Sequence, residues 1–219
     1  MPRNVLIACV ALLTGCGSPE KSAPKPVREA AAPAAADTRP TIVCFGDSIT
    51  AGFGLDAGQS FPDLLQRDLD GRTIRYRVVN FGVSGDTTQD GLARVPMALA
   101  EKPAIVLLEL GGNDGLRGIP LAITQANLAQ TIEAFQGAGA RVVLAGMSLP
   151  PNYGPAFIRK FEAVYKDLAA KYHVVLIPFL LEGVGAHDDL MQRDGIHPNA
   201  AGARKVEALV MKTLAPLLK

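Results

Sequence analysis

Five short runs rich in β-branched and other apolar residues, at 41–45, 77–81, 104–108, 141–145 and 174–177, recur along the chain after residue 40. Apolar character that continues along a run, rather than alternating, is what a parallel strand covered on both faces requires. Between the runs the period changes. Leu121, Thr124, Leu128, Ile132 and Phe135 follow one another at steps of three and four, as do Phe157, Phe161, Val164 and Leu168, and then Ala203, Val206, Val210 and Leu214. Each set forms one stripe on a helix, turned toward the sheet. Asp86, with Gln89 three residues on, predicts a capping-box helix start. Gly137 and Gly139 end the helix that Phe135 closes. Strands separated by helices imply right-handed crossovers and a parallel sheet. The expected fold is therefore α/β, a three-layer α/β/α sandwich around a five-stranded parallel sheet, with strand order left open by the pattern.

The first forty residues do not share this pattern. Arg3 precedes an apolar run from Val5 to Leu13, shorter than the ~20 residues a membrane-spanning helix needs. It reads as the charged and apolar regions of a secretory signal. Leu13-Thr14-Gly15-Cys16 looks like a bacterial lipobox, in which the peptidase cuts before the cysteine and the cysteine carries the lipid. Residues 1–15 are thus expected to be a lipoprotein signal peptide, with Cys16 lipidated. Residues 16–40 are rich in Ala and Pro without apolar periodicity, and are expected to be a disordered tether. Residues 41–219 suit one domain with a substantial core. The expected location is the bacterial cell envelope, lipid-anchored and facing the periplasm in a Gram-negative cell. Gly17, where an aspartate would favour inner-membrane retention, points to the outer membrane.

Composition narrows the function. Lys and Arg total 22 against 21 Asp and Glu, a net charge of +1, with no basic stripe, so nucleic-acid binding is not expected. Of three cysteines, Cys9 leaves with the signal and Cys16 is the lipidation site. Cys44 remains, and its apolar run assigns it to the core rather than to reactive chemistry or a disulfide. No histidines stand at paired ligand spacing and no phosphate-binding glycine loop is present, so neither a metal nor a cofactor is expected.

Candidate chemistry sits where the apolar runs end. Phe45-Gly46-Asp47-Ser48-Ile49-Thr50 places a serine on a strand-to-helix turn. Val83-Ser84-Gly85-Asp86-Thr87 and Gly111-Gly112-Asn113-Asp114 follow the next two runs of the order, and Asp194-Gly195-Ile196-His197-Pro198-Asn199 supplies a base with a carboxylate three residues away. In open parallel sheets ligands bind beyond the carboxyl ends of the strands, so these segments converge. Ser48 is the candidate nucleophile, His197 the base and Asp194 the acceptor of its second ring proton. The backbone amides of Ser48 and Gly85 and the Asn113 side chain are candidate oxyanion donors, each such donor contributing about 3 kcal/mol. Taken singly, each has a structural alternative: a helix N-cap for Ser48, a left-handed loop residue for Asn113, a surface turn for Asp194 and His197. Gly82-Val83-Ser84-Gly85-Asp86 nearly matches the G-x-S-x-G elbow of another hydrolase class, but Asp86 replaces its last glycine, and Ser84 is read as structural. Asp47 is assigned to holding the turn, with an electrostatic role left open.

Together and in this order, the four segments closely resemble the SGNH (GDSL) hydrolase family, whose name-giving residues map onto Ser48, Gly85, Asn113 and His197. Ile49 stands where the family usually has leucine. The resemblance spans roughly residues 41–219 and implies a flavodoxin-like strand order 2-1-3-4-5. Ser84-Gly85-Asp86-Thr87, Gly91-Leu92-Ala93-Arg94, the stretch from Gly111 to Gly118, and Leu149-Pro150-Pro151-Asn152-Tyr153-Gly154 resemble bacterial periplasmic enzymes that act as thioesterase, lysophospholipase and arylesterase. That resemblance implies an acyl pocket flanked by the loop after Asn113 and by residues 150–153, with a small-molecule acyl ester as substrate. The lipobox and tether depart from those relatives. The chain is expected to act as a monomer.

Three functions fit. The favoured one is a serine esterase of acyl esters, thioesters or lysophospholipids working through an acyl-enzyme. The second is a carbohydrate or peptidoglycan O-acetyl esterase, and the third a non-enzymatic acyl-binding lipoprotein. Because the base must be neutral to accept a proton, an esterase here is expected to lose activity in acid.

Overall fold

The computed structural model describes residues 37–218; the expected signal peptide, Cys16 and nearly all of the tether lie outside them. Five strands form one sheet: β1 (Thr41–Gly46), β2 (Arg77–Gly82), β3 (Pro103–Glu109), β4 (Arg141–Ala145) and β5 (Val175–Ile177). All neighbours are parallel, in the order β2-β1-β3-β4-β5 that the family resemblance implies. The chain steps from β1 outward to β2, then back across to β3, β4 and β5. Right-handed crossovers therefore place the first connection on one face and the later ones on the other. Helix α2 (Phe61–Gly71) accordingly packs with the last helix, α7 (Ala200–Leu214). On the other side α5 (Leu121–Gly137) contacts both α3 (Thr88–Leu99) and α6 (Pro155–Tyr172).

The core follows the stripes. Ile42 to Phe45, Ile105 to Leu108 and Val143 to Ala145 are fully buried, beneath Leu128, Ile132 and Phe135 from α5, Phe161, Val164 and Leu168 from α6, and Val206, Val210 and Leu214 from α7. The two edge strands differ from the expectation of cover on both faces. β2 is only half-buried, and Val175 in β5 is exposed. Edge strands have one neighbour and fewer helices over them, which leaves an apolar run partly in solvent.

Helix ends show local chemistry at work. The expected capping box lies one residue further on: Thr87 caps α3, accepting from the Asp90 amide at 3.4 Å while the Asp90 carboxylate accepts from the Thr87 amide at 3.0 Å. Asp86 is drawn away by the Arg94 guanidinium, 2.6 Å distant. α5 runs through Gly137 and stops where Gly139 turns left-handed at φ +85°, with the Ala140 amide bonded back to Phe135.

Register places the site. Gly82, Gly46, Glu109, Ala145 and Ile177 form one row across the carboxyl ends of all five strands. Two short helices rise from that row, α1 (Ser48–Ala51) after β1 and α4 (Gly112–Leu116) after β3.

Candidate active site

Ser48 is the first residue of α1, and Asp47 caps the helix by accepting the Ile49 amide at 3.0 Å. The turn is tight because Gly46 has no Cβ: one would overlap Thr50 Oγ1 and the Glu109 carboxyl. The candidate base arrives from residues far along the chain. Residues 191–198 close on themselves through a bridge between Met191 and Pro198 and a 2.7 Å bond from the Gln192 amide to the His197 carbonyl. Within this loop Asp194 Oδ1 accepts the amides of Ile196 and His197 at 2.9 and 3.0 Å, while Oδ2 lies 2.7 Å from His197 Nδ1. A carboxylate can only accept, so Nδ1 carries the proton and Nε2 is left as an acceptor. Nε2 stands 2.8 Å from Ser48 Oγ. Burial alone would raise the Asp194 carboxyl; the bonds from the His197 ring and the two amides outweigh it and hold the group below its ordinary value.

Of the three histidines, His197 alone reaches Ser48; His173 and His187 are exposed elsewhere. Ser84 is exposed, and no histidine among the described residues is hydrogen-bonded to it. The Phe53 ring rests on that of His197, 4.7 Å between centroids, and shields one face of the imidazole.

The candidate donors meet at the same place. Gly85 has φ +88°, so the glycine is needed for its left-handed backbone; a Cβ would find ordinary space, with Arg117 Nη2 at 3.7 Å. The amides of Ser48 and Gly85 find no acceptor among the described residues. The Asn113 side chain is different, because its nitrogen already donates to the Asp86 carbonyl at 2.9 Å and to Asp47 Oδ2 at 3.2 Å. Both partners are acceptors, which fixes the amide with its nitrogen facing Asp47 and Asp86. Asp114, next in sequence, is buried and accepts the Thr88 amide at 2.8 Å, tying α4 to the start of α3. Arg94 completes the frame. It pairs with Asp86, donates to the carbonyls of Phe81 and Gly46 at 2.7 Å each, and lies 4.0 Å over the Phe45 ring.

Beyond Ser48 opens a cleft of about 710 Å³, within the range of small-molecule sites. Leu116, Leu149, Pro150 and Pro151 line it, as the resemblance implies for the two flanking loops. Tyr153 does not face the cleft; its hydroxyl donates to the Leu116 carbonyl at 2.9 Å and joins the two walls. Sequence reasoning missed Phe53, Met147, Phe179 and Leu181 in the lining. It also missed Glu109, fully buried below the nucleophile turn. The one available signal was a charged residue set inside the apolar run that ends at Leu110. Burial raises the Asp47 carboxyl to about 6, against the pull of the Ile49 amide and of hydrogen bonding with Glu109; burial and then the Asp47 charge raise the Glu109 carboxyl well above its ordinary value. Burial likewise raises the Cys44 thiol, in keeping with a core cysteine.

Residues 44–205 match the model of the GDSL-like lipase/acylhydrolase family. The chain is 50% identical over 179 residues to an esterase, TesA, of Pseudomonas aeruginosa, covering 81% of this chain and 89% of that one. It is 41% identical over 186 residues to an Escherichia coli protein named as thioesterase, protease and lysophospholipase, covering 84% and 86%. The crystal structure of TesA superposes with a TM-score of 0.79 over 81% of this chain and 99% of that one. The psychrotrophic esterase EstA of Pseudoalteromonas, inhibited by monoethylphosphonate in its crystal, superposes at 0.77 with 31% identity, covering 81% and 97%. The geometry around Ser48 thus lies in a domain whose sequence and fold are both shared with these enzymes, and the chain belongs to the GDSL-like lipase/acylhydrolase family.

Proposed function

We propose that the protein is a serine esterase that hydrolyses acyl esters, with thioesters and lysophospholipids as further substrates of the same site. The observation that carries this reading is the continuous path from Asp194 through His197 to Ser48, at 2.7 and 2.8 Å, opening on an apolar cleft. Ser48 Oγ attacks the acyl carbonyl carbon as its proton passes to His197 Nε2. The tetrahedral oxyanion is held by the amides of Ser48 and Gly85 and by one Asn113 N–H, released from its 3.2 Å contact with Asp47. His197 then gives the proton to the departing alkoxide or thiolate, leaving an acyl-serine. Water attacks the acyl-serine with the same base and frees the carboxylic acid. The cleft is larger than an acetyl group needs, which favours acyl chains over O-acetyl substrates. The names of the relatives support ester, thioester and lysophospholipid chemistry. We further propose that the chain works as a monomer, anchored to the bacterial envelope by lipid on Cys16.

Hydrolysis of p-nitrophenyl acetate, butyrate and octanoate tests the reading. Wild type should cleave the longer esters, Ser48→Ala should lose about 10⁴-fold or more in kcat, and Ser84→Ala should keep most of its activity. A folded wild type inactive on all three esters sinks the esterase.

A further inference from the structure

The mechanism above leaves unused a pair of carboxyls directly beneath the nucleophile turn. Glu109, at the end of β3, is fully buried in the row that runs across the sheet. Its Oε2 accepts the Asp47 amide at 3.2 Å and the Thr50 hydroxyl at 2.8 Å, whereas Oε1 has no donor among the described residues. The Asp47 carboxyl, 2% exposed, is buried beside it on the residue whose amide Oε2 holds, and the Asp47 charge raises Glu109 further. Asp47 is well supplied: Oδ1 accepts the Ile49 amide and Oδ2 an Asn113 N–H.

Among the described residues no Lys or Arg pairs with either group. From α3, Arg94 turns its guanidinium to Asp86 and two carbonyls; from α6, Tyr165 donates its hydroxyl to the Leu110 carbonyl. Asp86 on the β2–α3 loop adds negative charge near Asp47 and Asp114 on α4 adds it near Tyr165, while His197 on the loop before α7, when protonated, favours the Asp47 carboxylate. Two neighbouring carboxylates sealed from water without a cation cannot both ionise. One proton must stay. Donors on both Asp47 oxygens favour its charged form, while the bare Oε1 of Glu109 is the atom that needs a hydrogen.

We propose that Glu109 is a positioning residue: it remains a neutral acid at working pH and donates from Oε1 to the Asp47 carboxylate, so that a single shared negative charge fixes the Ser48 turn and aims the Asn113 amide. This deepens the esterase reading and rests on it for the roles of Ser48 and Asn113. Ionised Glu109 would set a second negative charge under the developing oxyanion, so a neutral isostere is tolerated and an apolar residue is not. Glutamine reproduces the neutral acid, since its amide oxygen accepts from Asp47 and Thr50 and its nitrogen donates to Asp47.

The test combines infrared spectra with kinetics on the full chain. At pH 8 wild type should show the carbonyl stretch of a protonated carboxylic acid, lost in Glu109→Gln. That variant should keep kcat within about threefold, while Glu109→Leu should lose about 10²-fold in kcat with KM little changed. A wild type without the acid band at pH 8 overturns the proposal, as does a folded Glu109→Gln as inactive as Glu109→Leu. If Glu109→Leu fails to fold, the spectrum and Glu109→Gln still decide. The spectrum does not depend on ester hydrolysis, so an inactive enzyme with an intact acid band would refute the esterase reading alone.

Discussion

Asp194 and Glu109 are carboxyls on either side of the chain of contacts through Ser48 and its turn, and their surroundings push them in opposite directions. Asp194 is held below its ordinary value by bonds from His197 and two amides. It therefore adds stability above the unfolded carboxylate range, lost as pH falls through its folded value. Glu109 and Asp47 are raised by burial. A raised carboxyl binds its proton more tightly in the folded chain, so its contribution is present below the unfolded value and lost as pH climbs through the folded one. Glu109→Gln removes one raised group and leaves Asp194 alone. The thermal midpoint of wild type minus that of Glu109→Gln should thus decline steadily between pH 4 and pH 8, measured by calorimetry. A flat or rising difference would show that Glu109 ionises without cost. The pair Asp194 and His197 could be read from sequence because three residues separate them. Glu109 could not, because its partners Asp47 and Thr50 lie about sixty positions away and only strand register brings them together.

Arg94 shows what elements contribute beyond the residues they carry. Projecting from α3, it holds the last carbonyl of β1, the second-last carbonyl of β2 and the carboxylate of the loop between β2 and α3. One side chain thereby sets the spacing between the Ser48 turn and the Gly85 loop. Lysine offers its three donors from a single nitrogen and lacks the planar fork that spans these three separated acceptors. Arg94→Met also strands the Asp86 carboxylate, 12% exposed, without its cation. Urea denaturation of Arg94→Met should show a loss of about 3 kcal/mol, and of Arg94→Lys a smaller one. If Arg94→Met is as stable as wild type, the clamp has no structural weight. The apolar stripes of α5, α6 and α7 were legible in the sequence because helical periodicity is a local signal. The first turn of α3 was misplaced by one residue because Arg94, eight positions downstream of Asp86, decides which side chain is free to cap. Cleft walls from Met147, Phe179 and Leu181 were invisible for a related reason: they are loop residues whose direction is set by strands far away in sequence.

At the scale of the whole molecule, the alternation of runs and stripes was enough to foresee a five-stranded α/β sheet, while its strand order came from family resemblance. The proposed envelope anchor belongs to this scale too. Metabolic labelling with an alkyne-bearing palmitate should mark the wild-type protein and not Cys16→Ala, and detergent partitioning should follow the label. An unlabelled wild type would remove the anchor and leave the catalytic reading untouched. Ser48 sits on the first strand's turn, and His197 follows the last strand, 149 residues later. During synthesis the amino-terminal part emerges first. A nascent chain therefore displays a serine without its histidine partner, and hydrolytic power appears only when the final loop closes over a finished sheet. The order of the segments works as a clock, keeping the chain inert toward the esters around it until it is whole.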